Sequence, residues 1–124
     1  MKVLIVEDEA IVAHQLKTIV ADAGFATLGP ASTMEQALAY APRADIALID
    51  VALSDGRSGL QLARRLIDRY HTTIIFVTGV PEALKHGFAG AFAAIAKPFI
   101  DEDVANVLRR AGAMRMAGGH HGIG

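Results

Sequence analysis

Val3-Leu4-Ile5-Val6-Glu7-Asp8-Glu9 reads as a short strand that stops on three acids. Four aliphatic residues in a row, without alternation, suit a strand buried on both faces, as in a parallel sheet. The pattern recurs. Asp45-Ile46-Ala47-Leu48-Ile49-Asp50 is a second apolar run ending on an acid. Thr73–Val77, with Ile74-Ile75-Phe76-Val77 in a row, leads into Thr78, and Phe92–Ala96 leads into Lys97-Pro98. Ala26–Gly29, poor in branched residues, is a weaker strand candidate.

Between these runs lie helix-period segments. Val12, Leu16, Ile19, Val20 and Ala23 share one helical face, and Gly24 is a natural stop. Ser32-Thr33-Met34-Glu35 has the spacing of a capping box opening a helix to about Ala41, ended by Pro42. After the polar turn Ser54-Asp55-Gly56-Arg57-Ser58-Gly59, a third helix carries Leu60, Ala63, Leu66 and Ile67. Pro81 suits the first position of a short fourth helix, interrupted near Gly87. Asp101 caps a last helix carrying Val104, Val107, Leu108 and Ala111. Five strands alternating with five helices predict an α/β fold, a doubly wound five-stranded parallel sheet in order 2-1-3-4-5. One domain, residues 1–117, fills the chain, with a frayed glycine-rich tail at 118–124.

Composition narrows the function classes. A chain of 124 residues with 52% hydrophobic and 20% charged residues can bury a core of its own. A formal net charge of −1 gives no general pull toward nucleic acid or membrane surfaces. The absence of cysteine excludes disulfides, thiolate metal sites and thiol catalysis. The apolar run after Met1 is too short for a signal peptide, and the longest uncharged run, Gly87–Ala96, falls well short of the roughly 18 residues of a membrane span. A cytoplasmic protein, monomeric or weakly dimeric, is expected.

Ligands of such sheets bind beyond the carboxyl ends of the strands. The residues there are Glu7 and Asp8, Asp50, Thr78, and Lys97 with Pro98. Taken singly each has an ordinary use: acids after strands cap helices and turns, and lysines are solvated. Together they are poorly explained by stability, because two unit charges about 4 Å apart repel by roughly 4 kcal/mol at an effective dielectric of about 20. Clustered carboxylates suit a hard divalent cation, Mg²⁺ or Mn²⁺, and one of them can attack phosphorus to give an acyl phosphate. A lysine can balance the charge and a threonine can donate to a phosphoryl oxygen.

Val3–Glu9, Ile46–Leu53, Val77-Thr78-Gly79 and Lys97-Pro98-Phe99 resemble, in order and spacing, the signatures of response-regulator receiver domains, from Lys2 to about Met116. The resemblance implies that Asp50 is the phosphoacceptor and that Asp8 and Asp50 ligate Mg²⁺. Glu7 would hold a metal-bound water, and the Ala52 backbone carbonyl would complete the protein ligands. Thr78 would be the switch hydroxyl and Lys97 the phosphate-pairing lysine, with a cis Lys97–Pro98 bond. Ala52 and Val80 would flank the path of a hydrolytic water. Ile75–Gly79 and Asp55–Gly59 are similar to single-domain regulators paired with HWE-type histidine kinases, which makes a sensor histidine kinase the implied partner.

One position departs from the family. Receivers usually carry an aromatic residue three before the lysine, and here it is Ala94. Phe92, two residues earlier on the same strand face, is the candidate substitute. His14, His71, His86 and His120-His121 have no metal-site company, and Met114 and Met116 belong to the end of the last helix.

Three rivals compete with the receiver reading. A haloacid-dehalogenase-type phosphatase needs a second acid where Ala52 stands, and a flavin or dinucleotide module wants a glycine-rich loop where Glu7-Asp8-Glu9 stands. A phosphorylation-independent pseudo-receiver is the closest rival, although no acid, threonine or lysine is lost. With the chain ending at the last helix, no output domain is expected. Signalling then passes to a protein partner or along a phosphorelay.

Overall fold

All five runs form strands in the computed structural model, which describes residues 1–53, 59–84 and 87–121. They are β1 (Lys2–Val6), β2 (Ala26–Ala31), β3 (Ile46–Ile49), β4 (Thr73–Thr78) and β5 (Ala91–Ala96), joined as one parallel sheet in order β2-β1-β3-β4-β5. Four α-helices are present among the described residues: α1 (Ala10–Asp22), α2 (Met34–Tyr40), α3 (Gly59–Tyr70) and α4 (Asp101–His121).

Alternate strand residues build two cores. Leu4, Val6, Ala47, Ile49, Ile74 and Phe76 pack with Met34 and Ala37 of α2 and with Leu62, Ala63 and Leu66 of α3. Val3, Ile5, Ile46, Leu48, Ile75 and Val77 pack with Leu16, Ile19 and Val20 of α1 and with Val104, Leu108 and Ala111 of α4. The unbroken aliphatic runs are thus explained, because both faces of the central strands are covered.

Several local expectations are corrected. The helix-opening cap moves one residue on: Thr33, not Ser32, is the N-cap of α2, its hydroxyl accepting from the Gln36 N–H at 3.2 Å. The Gln36 side chain reaches back to accept from the Ser32 N–H at 2.8 Å, so Gln36 takes the place foreseen for Glu35. Asp101 is the first residue of α4 rather than its cap, and α4 runs to His121.

The fourth helix is absent from the described residues. Pro81–Leu84 makes a single 3-10 turn, and Gly87 (φ +80°) and Gly90 (φ +93°) then take left-handed backbone that an α-helix does not contain. Side chains fasten this segment instead. Phe88 meets Phe76 edge-on with ring centroids 5.0 Å apart. The Arg64 guanidinium lies 4.7 Å from the Phe88 centroid and donates to the Ala89 carbonyl at 2.6 Å. Of the polar turn expected at 54–59, residues 54–58 lie outside the described residues, as do His86 and positions 122–124.

Gly59 opens α3 by donating to the Val51 carbonyl at 2.6 Å. A Cβ there would collide with the Asp50 carbonyl oxygen and stand 2.9 Å from Val51 Cα, both backbone atoms that cannot rotate away. Gly59→Ala should therefore destabilise the fold by about 2 kcal/mol or more. Gly79→Ala, where a Cβ meets nothing within 4 Å, should change stability by less than about 0.5 kcal/mol. Urea denaturation of the two variants checks the contrast.

Candidate functional site

Strand register assembles the site. Val6 pairs with Ile49, so the next residue of each chain segment, Glu7 and Asp50, stand side by side. Backbone bonds extend this pairing: Asp50 N–H donates to the Val6 carbonyl and Glu7 N–H to the Ala31 carbonyl, both at 2.9 Å. Thr78 pairs with Ala96, and Lys97 N–H donates to the Thr78 carbonyl at 2.8 Å, placing Lys97 at the same edge. Glu7, Asp50 and Lys97 each follow by two residues a side chain of the α1–α4 core, Ile5, Leu48 and Ile95. The alternation of the strands thus turns all three the same way.

Lys97 is the hub. Its Nζ lies 2.7 Å from Glu7 Oε2, 3.3 Å from Asp50 Oδ2 and 3.3 Å from Glu9 Oε1. Glu7 and Asp50 are buried, at 3% and 6% exposure, whereas Asp8 and Glu9 are exposed. Glu7 Oε2 is buried, with the Lys97 ammonium as its close partner. Glu7 Oε1 accepts from the Glu9 N–H at 3.2 Å, and Asp50 Oδ1 accepts from the Ala52 N–H at 3.2 Å.

Burial pushes the Glu7 carboxyl above its ordinary range; Lys97 pulls it back in part, and the Asp50 charge adds to the rise. Burial works to lower the pKa of Lys97, but Glu7 and Asp50 outweigh it, leaving the ammonium above the usual lysine value. Lys97 is therefore firmly cationic.

Glu7, Asp8 and Asp50 each offer one oxygen, all within 4.8 Å of one another. With two buried carboxylates and the exposed Asp8 leaving the solvent side open, this donor set fits a hard cation that keeps several waters. Thr78 is fully buried, and its hydroxyl oxygen accepts from the Val80 N–H at 3.0 Å, which leaves its own proton available to donate. The Lys97–Pro98 peptide is cis. An open groove of about 520 Å³ lined by Glu9, Val12, Gln15, Gly79, Lys97, Pro98 and Phe99 leads up to the cluster.

Two placements differ from the sequence reading. Phe92 does not share a face with Ala94. The register between β4 and β5 shifts so that Ile74 pairs with Ala91 and Ile75 with Ala93, leaving Phe92 as the extra residue of a bulge. Phe92 packs with Ala93 and Ile95 toward α4, 5.8 Å beneath the Arg110 guanidinium, while Ala94 is exposed. The other difference is Glu9, whose contact with Lys97 was not foreseen. The available signal was its spacing, two residues after Glu7 at the end of the acidic run.

An acid cluster around one lysine thus stands at the carboxyl edge of a 2-1-3-4-5 parallel sheet. The chain belongs to the response regulator receiver domain family, whose model matches residues 3–109. It is 34% identical over 114 residues to the phyllosphere-induced regulator PhyR of Methylorubrum extorquens, covering 89% of this chain and 43% of that protein. The chain thus spans less than half the length of that curated relative. Among solved structures, the receiver domain of Erythrobacter litoralis PhyR matches with a TM-score of 0.81 at 30% identity, covering 89% of this chain and 88% of that one. A variant of the anti-anti-sigma factor PhyR from Bartonella quintana matches with a TM-score of 0.81 at 25% identity, covering 94% and 50%. The chain is therefore a receiver domain of two-component signalling, and no described helix is long and apolar enough to cross a membrane.

Millimolar Mg²⁺ should raise the melting temperature. A tenfold excess over Kd stabilises by about 1.4 kcal/mol, or roughly 5 °C for a domain of this size. Asp8→Ala should lose most of that rise. Differential scanning fluorimetry with and without Mg²⁺ gives the comparison.

Proposed function

We propose that this receiver accepts a phosphoryl group on Asp50 from a sensor histidine kinase of the HWE type, and passes the signal to a protein partner or along a phosphorelay. The observation that carries this reading is the state of the Asp50 carboxylate. It is buried at the carboxyl edge, with Oδ1 fixed by the Ala52 N–H and Oδ2 beside the Lys97 ammonium.

An oriented carboxylate oxygen attacks the phosphorus, the O–P bond forms as the N–P bond to the kinase histidine breaks, and the imidazole leaves. Lys97 neutralises charge on the phosphoryl oxygens, and Thr78 donates its hydroxyl proton to one of them. Glu7, Asp8, Asp50 and the Ala52 carbonyl would hold Mg²⁺ or Mn²⁺, which supplies further neutralisation of the phosphoryl charge. The kinase meets the surface around Ile11, His14 and Lys17 of α1 and Ile100 after β5. All four are exposed, Ile11 at 84% and Ile100 at 69%.

PhyR of Bartonella quintana is described as an anti-anti-sigma factor. By that likeness, the output of this receiver is a regulatory protein contact rather than a reaction of its own. A phosphorylation-independent role makes the opposite prediction for labelling.

Labelled small-molecule phosphodonor in Mg²⁺ should modify the wild type and leave Asp50→Asn unmodified; equal labelling, or none in either, contradicts the phosphoacceptor role. The label should also be long-lived. Ala52 and Val80, both exposed at the site mouth, have no side-chain group to orient a water. An orienting acid–base group is worth about 10²–10⁴-fold in rate. Ala52→Asn with Val80→Glu should therefore speed loss of label from the purified, kinase-free phosphoprotein at least several-fold. Decay of the wild type as fast as the double variant would show that these positions do not set the lifetime.

A further inference from the structure

Glu9 stands at the N-cap of α1 with extended backbone (φ −82°, ψ 111°), yet its side chain makes no cap hydrogen bond. The first turn of α1 contains no acid either, so its free N–H groups and positive dipole end go uncompensated by any carboxylate of the helix. The Glu9 carboxylate lies instead against Lys97.

An ammonium has three N–H donors. In this structure three carboxylates surround it, those of Glu7, Asp50 and Glu9. A phosphoryl group on Asp50 brings further anionic oxygens to the same cation, and the partner held least firmly is the one they displace. Glu7 is buried and makes the shortest contact, at 2.7 Å. Asp50 carries the phosphoryl group itself. Glu9 is 63% exposed at 3.3 Å and regains water when it leaves, so it is the partner whose release costs least.

We propose that Glu9 is the exchangeable partner of Lys97: the phosphoryl group displaces it from the ammonium, and the freed carboxylate turns onto the N–H groups of Ile11 and Val12. Glu9 is thus a positioning residue that acts through Lys97. It also links the phosphoryl group to the first turn of α1, where Ile11 is exposed. The proposal rests on the phosphoacceptor role of Asp50.

The test is a titration of the full chain with beryllofluoride, a non-reacting phosphoryl analogue, at saturating Mg²⁺, followed by backbone amide NMR. In the wild type the Ile11 and Val12 amides should shift on binding, and in Glu9→Ala those shifts should vanish. Releasing an exposed ion pair changes an equilibrium constant by about two- to five-fold, so Glu9→Ala should bind the analogue tighter by that factor. The gain should disappear in a Lys97→Met background. A gain of equal size without Lys97, or wild-type binding with unmoved Ile11 and Val12 amides, overturns the proposal. If Lys97→Met binds no analogue, the amide shifts alone decide. A wild type that binds no beryllofluoride overturns the phosphoacceptor reading itself, which distinguishes the two failures.

Discussion

The contact on which the site depends is the Lys97 ammonium among the carboxylates of Glu7, Glu9 and Asp50. Two of those acids are buried at neighbouring strand ends, where their repulsion would oppose folding without a cation. The lysine makes the arrangement tolerable, and it leaves an excess of negative charge, since four acids at this edge share one ammonium. In the proposed function, that excess would suit a divalent cation and the charge transferred with a phosphoryl group. Stability and chemistry here are two uses of one electrostatic balance.

That balance holds only if β5 delivers Lys97 at the correct height. β5 is an edge strand rich in alanine, and none of its residues is fully buried. It is kept in register by its pairing with β4, by the bulge that seats Phe92 against the α4 core, and by the Arg64–Phe88–Phe76 stack that closes the preceding segment. On the other side of the site, Gly59 lets the start of α3 press against the backbone of Asp50 and Val51. The site is therefore gripped from both flanks by packing of residues that carry no chemistry.

Much of this was legible beforehand because both cores impose an apolar requirement on every central strand residue, which leaves an unmistakable run in β1, β3 and β4. Once the runs are recognised, the residues just past them identify the site, and Glu7, Asp8, Asp50 and Lys97 are indeed brought together. What escaped depends on geometry that composition does not record. The β5 bulge inverts the face of Phe92, because one extra residue reverses the period-two alternation. The expected helix after Pro81 is not found among the described residues, where Gly87 and Gly90 take left-handed backbone that a helix does not contain. The cap of α2 shifts because Thr33–Gln36 and Ser32–Glu35 share the same spacing, and only packing chooses between them. Glu9 stands two residues after Glu7 in the acidic run, but the sheet, not that spacing, selects its partner 88 residues away.

In the proposed function Asp50, and none of its acidic neighbours, bears the phosphoryl group. Borohydride reduction of the phosphorylated protein converts the acyl phosphate into an alcohol, and tandem mass spectrometry of the peptides then locates it. The account predicts reduction at position 50 alone, in the wild type and with Glu7, Asp8 and Glu9 intact. Reduction at any of those three residues, or a phosphoprotein with position 50 unmodified, would contradict it.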